Sequence, residues 1–156
     1  MEAKNPYAPP KAAVDDVSSG AAPPRPGEVT RAVRLLWAAV AVSFVSGFLN
    51  AYLTETPGVP KAMFAGFMVF GWVVGLAIVW WILSSIGKGK NWARIVQLVF
   101  FIFGILGVLM VFAMPQQVPG VIWALYAIQM GLNVWGVILL FSGPGNAWFR
   151  EMKEWL

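Results

Sequence analysis

The stretch "AMFAGFMVFGWVVGLAIVWWILSSI", Ala62–Ile86, carries no charged side chain, and how it is read decides the fold. A helix rises about 1.5 Å per residue, so roughly 20 apolar residues cross the ~30 Å hydrocarbon core of a bilayer. This run is long enough to cross with modest tilt. A helix satisfies its own backbone polar groups in lipid, whereas a barrel strand would alternate apolar and polar residues over about ten positions. The apolar residues here are continuous, which predicts a membrane-spanning helix.

Three further runs read the same way: about Leu35–Leu53, Ile95–Met114 and Val121–Phe141. The connections between them are short and rich in breakers: "TETPGVPK" at Thr54–Lys61, "GKGKN" at Gly87–Asn91 and "PQQVPG" at Pro115–Gly120. Short connections make each consecutive pair a hairpin. The predicted fold class is therefore all-α: a polytopic membrane protein with four transmembrane helices in an antiparallel bundle. Composition agrees, with 59% hydrophobic residues, 12% charged and a mean hydropathy of +0.71. The chain divides into a Pro/Ala-rich tail at 1–29, expected to be disordered and cytoplasmic, a bundle at 30–142 and an amphipathic segment at 143–156.

Charge sets the expected orientation. Lys4, Lys11, Arg25, Arg31 and Arg34 precede the first span, Lys88, Lys90 and Arg94 fall between the second and third, and Arg150 and Lys153 follow the fourth. The opposite side holds Lys61 alone. The positive-inside rule then places both termini and the middle loop in the cytoplasm. The net charge of +4 follows from this topology, and because the cations flank apolar spans they point to membrane lipids as partners and not to nucleic acid. The first thirty residues lack the apolar core of a signal peptide, so the leader is expected to stay on the protein. Trp37, Trp80, Trp81 and Trp92 fall at the inner interface and Trp123 at the outer one, as amphipathic indoles prefer. Trp72 and Trp135 lie deeper and are read first as packing or lipid contacts.

In the final stretch "GPGNAWFREMKEWL", Gly143, Pro144 and Gly145 are expected to stop the fourth helix and Asn146 to cap a short new one. Trp148, Phe149, Met152, Trp155 and Leu156 recur at spacings of three and four, which suits a helix lying along the inner membrane face.

The chemistry available is bounded by what the spans lack. They hold no ionisable group except tyrosine, which excludes a proton relay built on buried Asp, Glu or His. A small multidrug-resistance exporter has a similar size but relies on a glutamate in its first span, and "LLWAAVAVSFVSGFLNAYL" has none. With no cysteine and no histidine there is no disulfide, thiolate metal site or nucleophile dyad, and no phosphate-binding glycine loop is present. The expectation is a non-enzyme with no cofactor.

The polar residues within the spans are neutral. Ser43, Ser46, Gly47 and Asn50 share one face of the first helix, Tyr126, Gln129, Asn133 and Gly136 form a stripe on the fourth, and Gln97 lies on the third. The default role for Ser46, Asn50, Gln97, Gln129 and Asn133 is interhelical hydrogen bonding, worth about 0.6–2 kcal/mol each; the sharper alternative is that they line a pore or polar cavity. Gly71 with Gly75, and Gly104 with Gly107, offer thin helix edges for close packing. In the leader, Asn5, Pro6, Tyr7, Pro9 and Pro10 of "NPYAPP" form a candidate docking handle for an aromatic-lined groove, with a solvated tail as the default.

The phrase "NPYAPPKAAVDDV" resembles the leader of small uncharacterised bacterial inner-membrane proteins, and "GKGKNWARIVQLV" and "FSGPGNAWFR" are similar to phrases from such four-helix proteins. The leader is also loosely similar to that of some RDD family members, whose spans carry Arg and Asp that this chain lacks. The resemblance implies a multi-pass protein of the bacterial cytoplasmic membrane and supplies no binding or catalytic residues. The functional expectation is an accessory or interaction subunit that binds a membrane-protein partner or a second copy of itself. A small oligomeric permease or channel for a neutral or small polar substrate is the alternative, and an immunity-type membrane protein is a third class.

Overall fold

The computed structural model describes residues 22–53, 60–113 and 118–155, and these contain five helices. In chain order they are α1 (Gly27–Leu53), α2 (Lys61–Gly87), α3 (Asn91–Ala113), α4 (Gly120–Phe141) and α5 (Gly143–Trp155). The first four are long and apolar enough to cross a membrane. No strand occurs among the described residues.

Local chemistry sets the helix ends. α2 and α4 each follow a proline in extended conformation, Pro60 (φ −57°, ψ 128°) and Pro119 (φ −55°, ψ 140°). The carbonyls of these prolines accept the first-turn bonds, from Phe64 N–H at 3.1 Å and Ile122 N–H at 2.9 Å. Proline suits a position before a helix, where its missing N–H costs nothing. α1 begins at Gly27, three residues earlier than the division at residue 30, because the Pro26 carbonyl accepts both the Thr30 N–H at 3.2 Å and the Thr30 hydroxyl at 3.3 Å. α2 ends in a left-handed turn at Gly89 (φ +77°), with Lys90 N–H bonded to the Ser85 carbonyl at 3.1 Å. That conformation favours glycine. A β-carbon at Gly89 would also lie 2.7 Å from Met152 Cγ, so the turn is packed against α5.

The boundary between α4 and α5 differs from expectation. Only Ser142 interrupts the two helices (φ −65°, ψ 164°), and Gly143, Pro144 and Gly145 form the first turn of α5. The Asn146 N–H donates to the Ser142 carbonyl at 2.8 Å, so Asn146 is not the cap. The Ser142 hydroxyl donates back to the Leu139 carbonyl at 2.8 Å, closing α4. Proline is favourable in a first helical turn, which explains why "GPG" starts α5 instead of separating it from α4. At Gly145 a β-carbon would meet the Leu139 carbonyl oxygen at 2.8 Å, so the sharp reversal depends on glycine there.

The most extensive contact between helices is α1 with α4. Gly136 makes it close: a β-carbon there would lie 3.0 Å from Leu36 Cδ2 and 3.5 Å from the Ala32 carbonyl oxygen. The buried core gathers at one end of the molecule, where Leu36, Ile82, Ile86 and Leu140 meet Trp148 and Phe149. Along the most apolar windows of α2 and α3 nothing is buried, and Phe67, Phe103 and Phe112 are 70%, 65% and 76% exposed. An apolar surface that large is intolerable in water and natural in lipid.

α5 packs against the bundle. Its apolar face, Trp148, Phe149 and Met152, is 5%, 1% and 5% exposed because it seals the end of the bundle; only Trp155 remains half exposed. The Trp148 indole N–H donates to the Pro23 carbonyl at 3.1 Å, tying residues 22–26 to the same cap. Residues 22–29, expected to belong to a disordered tail, are thus an extended stretch and the start of α1. The candidate handle Asn5–Pro10 and most of both prolyl loops lie outside the described residues.

Candidate functional site

Above the sealed end the four long helices do not close on one another. Between them lies a half-open cavity of about 570 Å³, within the range of small-molecule sites. α1 contributes Ser43, Ser46 and Gly47, α3 contributes Gln97 and Phe101, and α4 contributes Tyr126, Gln129 and Asn133. Trp72 of α2 supplies an aromatic wall, its ring centroid 5.3 Å from that of Phe44, and a β-carbon at Gly47 would touch its indole at 3.6 Å. The chamber therefore has one polar stripe facing aromatic and aliphatic surface.

Four of the five expected polar residues, Ser46, Gln97, Gln129 and Asn133, line this one cavity. Asn50, half-buried one turn beyond Ser46, is not among its lining residues. Two hydrogen bonds of the stripe run along single helices. The Ser46 hydroxyl donates to the Ser43 carbonyl at 3.0 Å, and Asn133 Nδ2 donates to the Gln129 carbonyl at 2.9 Å. The side-chain oxygen Gln129 Oε1 is buried with no hydrogen-bond partner among the described residues. A buried acceptor without a donor costs about 1–3 kcal/mol, so the packing around this oxygen carries an uncompensated desolvation cost.

The candidate packing glycines fall elsewhere. A β-carbon at Gly71, Gly75, Gly104 or Gly107 would meet nothing within 4 Å, so none of the four lies at a close contact between helices of one chain. Gly104 and Gly107 face the cavity instead, and Gly71 is exposed. Close approach occurs at Gly136, on the polar stripe of α4, where α1 and α4 cross.

A residue that charge counting alone assigned to the middle loop stands out. Arg94, in the first turn of α3, is 9% exposed, and its guanidinium lies over two rings, 5.0 Å from the centroid of Phe141 and 4.7 Å from that of Phe149. Its Nε and one terminal nitrogen lack hydrogen-bond partners among the described residues, as does Asn91 Oδ1 beside it. The rings hold the cation in place by cation–π attraction. Its spacing from the end of the second span marks it as an interface cation, but the aromatic cover comes from Phe141 at the end of α4 and Phe149 of α5, whose docking no local pattern announces.

Among the described residues no group of three or more acids, histidines or cysteines could hold a metal ion. The arrangement can bind and orient a small molecule; the lining holds no nucleophile–base pair. Fold and cavity define a class, the helical protein with four potential membrane spans and a half-open cavity among them. Set against family models, curated proteins and solved structures, the chain matches none of them.

Proposed function

We propose that this is a multi-pass protein of the bacterial cytoplasmic membrane, with both termini inside, that acts as a small permease for a neutral, small polar molecule. The observation that carries the reading is the convergence of Gln97, Gln129 and Asn133 on one cavity. Residues acting only as interhelical glue would be expected to bond one another across dry contacts, whereas Ser46 and Asn133 bond carbonyls of their own helices. With no acid or base in the lining other than Tyr126, a charged substrate would enter without a counter-charge, so the substrate class is neutral and amphipathic. The orientation is supported by the ten-to-one asymmetry of basic residues. The reading is non-enzymatic and invokes no cofactor.

The accessory-subunit role rests on Asn5–Pro10, which lie outside the described residues, and no observation on the bundle favours it or an immunity role. The test is solute flux in proteoliposomes of the full chain, following glycerol and urea gradients by light scattering. The permease reading predicts relaxation faster than in protein-free vesicles for at least one solute, and several-fold slower relaxation in Gln129→Leu that still folds. Rates equal to protein-free vesicles for both solutes contradict it.

A further inference from the structure

A second cleft, of about 330 Å³, opens at the sealed end of the bundle, between the start of α1 and the end of α2. Its polar lining is Arg25, Lys88 and Ser84, its aromatic lining Trp37 and Trp80, and its floor Val33 and Leu83. No acidic residue is among the described residues that line it.

We infer that this cleft is a binding site for the headgroup of an anionic phospholipid. Two cations converge here without a carboxylate between them, and guanidinium and ammonium groups are the usual donors to a phosphate. Arg25 does not trail into solvent: its guanidinium lies across Gly87, with one terminal nitrogen 3.4 Å from where a β-carbon would stand. Partial burial holds its pKa below the ordinary arginine value, a desolvation that a bound anion offsets. The residue-level exposure of Arg25 shows that its outer face is still open to a ligand.

The indoles distinguish a lipid from a free anion. Trp37 and Trp80 are 37% and 63% exposed on the rim, and Trp81, next to Trp80 in the chain, meets Trp92 in a tilted pair with centroids 5.0 Å apart, the kind of belt that amphipathic rings form at headgroup level. The apolar flank of α2 runs from this rim along the exposed side chains Val73 and Val74, a surface for an acyl chain. The Ser84 hydroxyl already donates to the Trp81 carbonyl at 2.9 Å, so its oxygen is left as an acceptor for a headgroup hydroxyl. The inference is independent of the permease reading, since the two cavities share only Leu83.

The test uses the full chain in neutral detergent, with the thermal transition measured after adding phosphatidylglycerol, phosphatidylcholine or inorganic phosphate. Phosphatidylglycerol is expected to raise the transition by several degrees and the other two to leave it unchanged. The rise should vanish in Arg25→Gln/Lys88→Gln and persist in Arg34→Gln, whose charge lies outside the cleft. If the double variant does not fold, Lys88→Gln alone, at an exposed position, is expected to reduce the rise. An equal rise with phosphatidylcholine, an equal rise with inorganic phosphate, or an undiminished rise in the Lys88 variant overturns the inference.

Discussion

At the scale of single residues, the close crossing of α1 and α4 depends on Gly136 having no side chain. Leu36, 2% exposed, stands 3.0 Å from the position of a β-carbon and would have to give way to one. Gly136→Val is therefore expected to destabilise the bundle by about 1–3 kcal/mol, the usual cost of overpacking, read as a lower thermal transition in detergent. An unchanged transition would mean that the helices separate there without penalty. The sequence marks Gly136 as part of the α4 stripe, because its spacing from Tyr126, Gln129 and Asn133 is helical. It does not mark which glycine meets a neighbour: that depends on where two helices cross, and the crossing is a property of the pair.

At the scale of elements, the four long helices are legible from hydropathy alone, since lipid demands long, continuous apolar helices and leaves little ambiguity. The placement of α5 is not. Its amphipathic pattern fits a membrane face and a bundle end equally well, because both offer an apolar surface beside water. What decides is tertiary: the Trp148 bond to Pro23, the Phe149 ring over Arg94 and the Met152 contact at Gly89. Trp148→Ala is expected to undock α5, so that trypsin cleaves at Arg150 and Lys153 markedly faster than in the unaltered protein. Trp148→Phe, which keeps a ring and loses one hydrogen bond worth about 0.5–1.5 kcal/mol, should accelerate cleavage only slightly. Equal cleavage in all three proteins would show that α5 is held by something other than its buried face. The glycines of α2 give the opposite expectation. Because a β-carbon at Gly71 or Gly75 would meet nothing within 4 Å among the described residues, replacing both by leucine should leave the transition of the monomer unchanged. A marked drop would reveal a tight contact with another molecule.

At the scale of the whole molecule, the packing is asymmetric: one end is sealed by α5 and the core around Leu36, Ile82 and Leu140, and the remainder surrounds a chamber. Spacing along α1 and α4 shows which polar residues share a helix face, and four of the five named residues do meet in the cavity. Their default role as glue could not be separated from a cavity lining by spacing, since both readings turn the same face inward; only the gap between the helices separates them. The absence of cysteine from the chain makes the decisive measurement clean, because a single introduced thiol is the only one present. A cysteine at Gln129, exposed to membrane-impermeant thiol reagents applied first from one side of sealed vesicles and then from the other, tests directly whether the chamber is wet and can be reached. The permease account predicts labelling from both sides, slowed by occupancy of the chamber. No labelling from either side would make the chamber dry and contradict it.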